Sequence, residues 1–112
     1  MLSRSRKAKG RRLQNKVREI LLESFKDLEP DDIKTAVMGE SGEDIHMSPA
    51  ARRLVPLSIE CKNQESLNIW KSLEQAETNC GDHTSCVVFK RNKSKIYITL
   101  EFDKFIDILK GN

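Results

Sequence analysis

Val55-Pro56-Leu57-Ser58-Ile59-Glu60-Cys61-Lys62 is the stretch on which the fold turns. Side chains alternate between the faces of a strand, so Val55, Leu57, Ile59 and Cys61 point one way and Ser58, Glu60 and Lys62 the other. An acid and an amine thus share a face at the end of an apolar strand. A hard divalent cation takes carboxylate oxygens, and a phosphodiester under attack needs positive charge near its developing negative charge. Taken alone, Glu60 and Lys62 also read as an exposed strand-face ion pair.

Upstream, Glu43 to Met47 alternates as a second strand, with Asp44 and His46 on one face and Glu43 and Ile45 on the other. If it packs beside Val55–Lys62 in an antiparallel meander, Asp44, sixteen positions before Glu60, meets it. His46 then either touches the site or serves as a satisfied structural histidine. Thr35 to Met38 reads as a short strand and Gly39-Glu40-Ser41-Gly42 as the turn between the two. Ser48-Pro49 caps a helical turn whose Arg52 and Arg53 either reach phosphates or are solvated. Further upstream, Leu13, Val17, Ile20, Leu21, Ser24 and Leu28 recur at helical steps, predicting a helix over residues 10–28 that Pro30 ends. On its wheel Gln14 borders the apolar stripe and Glu19 faces water.

Downstream, Ser66 caps a predicted helix through about Asn79. Ile69, Leu73 and Ala76 form its packing stripe, Lys71 and Gln75 share another side, and Trp70 reads as core, subunit contact or base-stacking platform. Thr84–Lys90 and Lys95–Leu100 are strands around the basic turn Lys90-Arg91-Asn92-Lys93-Ser94-Lys95. Phe102, Phe105, Ile106 and Leu109 mark a closing amphipathic helix. The order is helix, three strands, helix, two strands, helix: a single α/β domain.

Asp44, Glu60-x-Lys62 and Gln75, in that order, resemble the signature of the PD-(D/E)xK nucleases. Gly39–Ile45 followed by Ile59–Asn63 is most similar to their small phage-encoded and archaeal-type Holliday junction resolvases, over roughly residues 10–110. The resemblance implies a restriction-endonuclease-like core and a homodimer acting on DNA, branched DNA foremost, with Mg²⁺ (or Mn²⁺) held by Asp44, Glu60 and the Cys61 carbonyl. Lys62 would orient or help deprotonate the attacking water and stabilise the phosphate, with Gln75 supporting it. Related resolvases carry a metal-site glutamate four residues after a glycine in the first helix. Here that accessory position is Gln14, a neutral amide and a poorer cation ligand.

The chain has 112 residues, enough for one core and too few for a separate specificity domain. Charged residues make up 33% and hydrophobic ones 38%, and no apolar run approaches a membrane span, so a cytoplasmic protein is expected, in the host cytoplasm if phage-encoded. The net charge of +3 hides an asymmetry. Residues 1–18 hold eight cations and no acid, leaving −5 for the remainder. A basic flexible arm over residues 1–9, preceding a nuclease domain over 10–112, reads as the footprint of a polyanion partner or as a solubilising or nuclear-targeting tail. The DNA contacts expected are Arg4, Arg6, Lys7, Lys9, Arg11 and Arg12 of this region, Lys71, and Lys90, Arg91 and Lys93 of the basic turn. Three cysteines without a secretion signal point to reduced thiols. The Cys80, His83, Cys86 spacing matches no common zinc knuckle, and Cys86 opens an apolar strand. The reading that results is a Mg²⁺-dependent endonuclease. The alternatives are a less selective nuclease or nickase of the same fold and a non-catalytic DNA-binding module.

Overall fold

The first helix, α1 (Leu2–Ser24), lays Leu13 and Val17 into the core, with Leu21, Leu22 and Leu28 partly buried beside them. The computed structural model describes residues 2–37 and 42–111, and side chains within that range from Arg6 onward. Residues 2–9, expected as a flexible arm, are the first part of this helix. The helix also ends earlier than its periodicity implied: Ile20 is exposed, and the chain turns at Phe25–Leu28 before a short 3₁₀ turn at Pro30–Asp32. Arg18 fastens α1 to that turn, donating to the carbonyls of Ile33 (2.6 Å) and Pro30 (2.8 Å).

β1 (Ile33–Thr35) pairs antiparallel with β2 (Ile45–Met47), Ile33 opposite Met47 and both isoleucines fully buried. β1 thus begins two residues before the predicted Thr35. It also ends at Thr35, so Ala36 and Val37 of the predicted strand are not part of it, and residues 38–41 lie outside the described residues. Gly42 sits at φ 102°, a left-handed conformation that favours glycine. α2 (Pro49–Leu54) follows, capped by Ser48, whose hydroxyl accepts from the Ala51 N–H and donates to Asp32.

β3 (Leu57–Asn63) and β4 (Thr84–Lys90) run parallel, in register from Leu57 opposite Thr84 to Asn63 opposite Lys90. Between them α3 (Ile69–Asn79) crosses over, burying Ser72 and Ala76. Its cap is Asn68, not Ser66: the Asn68 carboxamide oxygen accepts from the Lys71 N–H, a bond that Ser66 lies too early to make. β5 (Tyr97–Thr99) adds antiparallel to β4, and α4 (Phe102–Leu109) closes the chain. The result is one compact α/β domain with four α-helices and two sheets among the described residues. The expected meander of the second and third strands is replaced by a split. β2 and β3 belong to different sheets, and a hydrogen bond from the Asp44 N–H to the Ile59 carbonyl (3.0 Å) joins the segment entering β2 to β3.

Trp70 is 76% exposed, so it is not core. Phe102, Phe105 and Leu109 of α4 and Tyr97 and Ile98 of β5 are exposed as well. None of the described helices is long and apolar enough to cross a membrane.

Candidate functional site

β3 is the edge strand of its sheet, and the residues that expose their backbone on the free edge are fixed by two bonds. Ile59 offers its carbonyl to Asp44, and the Cys61 N–H donates to Asp44 Oδ2 at 2.7 Å. The N–H and C=O of one strand residue project from the same edge, so the Cys61 carbonyl also faces the Asp44 side. Asp44 itself is delivered by the turn that enters β2, its own carbonyl accepting from the Ala36 N–H at 2.8 Å.

Glu60, between Ile59 and Cys61, is 4% exposed. A carboxylate this buried needs partners, and the carboxamide of Asn79 lies 3.5 Å from its Oε1. Burial foremost, and then the neighbouring Asp44 charge, push the Glu60 carboxyl up to about 7, against the opposing pull of Asn79 and Lys62. Asp44 is raised as well, by burial, with the Cys61 N–H, Lys62 and His46 acting against it. Two coupled carboxylates held in a low-dielectric recess repel each other until a cation or a proton neutralises them.

Asp44, Glu60, Cys61, Lys62, Gln75 and Gln14 all line one open cleft of about 320 Å³. Lys7 and Arg11 of α1 border it, as do Ala36 and Val37 beyond β1. Acids and cations far apart in the chain therefore meet where α1, the β1–β2 hairpin, β3 and α3 converge. Gln14 is half-buried and Glu19 exposed, as their wheel positions implied; Gln14 lines the cleft, and Glu19 lies off it, paired with Lys16 at 3.0 Å.

Arg52, expected to reach phosphates or be solvated, does neither. It is ion-paired with Glu43, donates to the Leu57 carbonyl at 2.9 Å, and shares Glu43 with the buried Ser58 hydroxyl (3.1 Å). The alternation of Glu43–Met47 put Glu43 on the face away from Asp44 but could not show this partner. His46 places Nε2 3.1 Å from the Glu43 carbonyl, a structural contact next to the site. Asn79 is a functional candidate that sequence reasoning missed. The available signal was its position four residues after Gln75, on the same side of α3. The three thiols are free, as expected, and Cys80, His83 and Cys86 do not converge. Cys86 is fully buried in the core, His83 is exposed, and the Cys80 thiol donates to the Glu77 carbonyl.

Among the cations expected to meet DNA, Lys7 and Arg11 border the cleft, while Arg6 and Lys71 are exposed outside its lining. The Lys9 carbonyl accepts from Asn63. Arg12 and Lys90 line a separate cleft, and Arg91 and Lys93 are exposed at the turn beyond β4. The Arg4 side chain lies outside the described residues.

The oxygen donors present fit a hard divalent cation: two carboxylates and an edge carbonyl with no competing thiolate, since the Cys61 side chain is buried and its thiol is pushed far above the usual range. Among the described residues no three His, Cys, Asp or Glu side chains gather in a group that could hold an ion. No family model, curated protein or solved structure matches the chain.

Proposed function

We propose that this protein is a metal-dependent DNA endonuclease of the PD-(D/E)xK type with a restriction-endonuclease-like core, acting on branched DNA in the manner of a Holliday junction resolvase. The observation that carries the reading is the convergence of Asp44, Glu60, the Cys61 edge and Lys62 on one cleft bordered by the cations of α1. A purely structural acid pair has no need of an open cleft.

In this reading Asp44, Glu60 and the Cys61 carbonyl hold Mg²⁺, with Mn²⁺ able to substitute. When bound, the ion lowers the pKa of a water and draws charge from a phosphate oxygen. The chain's own groups do the rest. Lys62, on the Glu60 face of β3, stands where an ammonium orients the attacking water and offsets the charge that grows on the phosphate. Gln75 lines the same cleft and positions Lys62 or that water. Asn79 holds the Glu60 carboxylate in place, and Lys7 and Arg11 draw the phosphate backbone toward the acids. The neutral Gln14 offers the cation little, so one metal ion per cleft is expected.

Resolving a four-way junction requires two symmetric cuts, which a two-fold homodimer supplies. The exposed aromatic and aliphatic side chains of α4 and β5, with Trp70, are the apolar surface available for it. The experiment is a panel of four-way, flapped and linear DNAs of shared sequence, incubated with Mg²⁺. Paired symmetric incisions in the junction, well above cutting of duplex, support the resolvase. Equal cutting of all forms leaves a less selective nuclease or nickase, and binding without any cutting leaves a DNA-binding module.

A further inference from the structure

A second cleft lies on the opposite flank of α1. At 100° per residue, Lys7, Arg11 and Gln14 fall on one side of the packed Leu13–Val17 stripe and Arg12 and Lys16 on the other, roughly half a turn away. The strand repeats the division: Lys62 lines the first cleft and its neighbour Asn63 the second, on alternate faces of β3. From the far side Lys90 and Lys95, flanking the turn after β4, complete the lining. Four cations thus surround this cleft, and none of the residues lining it is acidic. The acids nearby lie outside the lining: Glu19 meets Lys16 in an exposed pair of the kind that contributes little, and Glu65 is bonded to the Asn92 N–H.

Two features mark a built site in place of a chance cluster of surface cations. The turn that carries Lys90 and Lys95 is fixed: the Ser94 hydroxyl accepts from the Arg91 N–H and donates to the Lys95 carbonyl (2.7 Å), the Asn92 N–H is held by Glu65, and Lys93 adopts φ 62°. Asn63 is 91% buried in the lining; its Nδ2 donates to the Lys9 carbonyl at 3.1 Å, and its Oδ1 has no donor among the described residues. A buried acceptor without a donor is costly and uncommon. Asn63 lines the same cleft as Lys16, Lys90 and Lys95, whose ammonium groups can supply the donor once they are drawn in.

We infer that this cleft binds a phosphate of the DNA backbone, so that α1 is straddled by two phosphate sites, the cutting cleft on one flank and the Arg12–Lys16–Asn63–Lys90–Lys95 cleft on the other. A helix with its side chains is about 10–12 Å across, the scale of the roughly 12 Å major groove, so phosphates of the two strands of one duplex arm can occupy both clefts with α1 between them. The inference rests on the nuclease reading for the role of the first cleft, but not for binding at the second.

The test is the binding of a short fluorescein-labelled duplex in EDTA across a series of KCl concentrations, with Mg²⁺ cleavage read in parallel. Each phosphate that the protein no longer neutralises lowers the slope of log affinity against log salt by about 0.9. Lys90→Gln/Lys95→Gln is expected to lower the slope by about 0.9 and weaken binding roughly tenfold, whereas Lys26→Gln/Lys104→Gln, an equal charge change at exposed positions elsewhere, leaves the slope unaltered. In amide NMR spectra the Asn63 side-chain signals are expected to move when duplex is added to the wild type and to stay in place in the Lys90/Lys95 variant. Equal slopes for the two double variants, or an Asn63 signal indifferent to DNA, would overturn the second cleft even if the protein cuts. A lowered slope in a protein that never cuts would keep the cleft and discard the nuclease.

Discussion

Asp44 Oδ2 accepts the backbone N–H of Cys61 at 2.7 Å, and this one bond does two things. It satisfies the free edge of β3, and it brings the Asp44 carboxylate beside Glu60.

The two roles separate by substitution. Asp44→Asn keeps an oxygen that accepts the Cys61 N–H and is expected to stay within about 1 kcal/mol of wild-type stability, while Asp44→Ala orphans that N–H and loses about 1–3 kcal/mol. Both are expected to lose cleavage. Chemical denaturation with a parallel cutting assay checks this, and an Asp44→Asn protein that cuts normally contradicts the metal-holding role.

Stability is expected to fall as pH rises in the metal-free protein. Glu60 is raised from 4.5 to about 7 in the fold, so between those values the folded state binds more protons than the unfolded state. The stabilising effect is complete below about pH 4.5 and lost as pH passes 7, amounting to no more than about 3 kcal/mol. Asp44, raised too, adds in the same direction. Melting temperatures from pH 5 to 8 in EDTA measure it. Glu60→Gln should flatten the curve, and Mg²⁺ should lift its high-pH end.

Arg52→Ala is expected to destabilise by about 3 kcal/mol, because it strands the largely buried Glu43 carboxylate and frees the Leu57 carbonyl. Arg53→Ala, at an exposed position, should cost under about 0.5 kcal/mol. Thermal melts of the two variants decide between this role and a solvated turn.

Removing residues 1–9 deletes Arg4, Arg6, Lys7 and Lys9 and is expected to weaken DNA binding across sequences, lowering the salt slope by up to about 4. An unchanged slope would show that this part of α1 takes no part in binding.

Much of the site was legible in the sequence, for a physical reason. Strand alternation put Glu60 and Lys62 on one face, helical spacing put Gln14 beside the core and Gln75 off the packing stripe of α3, and the resemblance assigned Gln75 to the site whose cleft it lines. Long-range pairing was not legible. Nothing local shows that β2 and β3 part into separate sheets, or that Asp44 would close the β3 edge through its side chain. The Arg52–Glu43 pair joins residues nine apart whose partnership depends on the turn of α2. At the termini, the continuation of α1 through a run of cations ran against the reading of charge as an arm, and the stripe overreached at Ile20, where the helix leaves the core.

The most direct measurement of the central claim is cleavage of a labelled four-way junction by wild type, Glu60→Gln and Lys62→Ala with Mg²⁺, Ca²⁺ or EDTA, with binding measured on the same samples. The account predicts cutting by the wild type in Mg²⁺ alone, and binding without cutting in Ca²⁺, which coordinates oxygen at longer and looser distances. Both variants should bind the junction and fail to cut it, their losses far from additive when combined. Near-wild-type cutting by either variant, or no Mg²⁺-dependent cutting by the wild type, would contradict it.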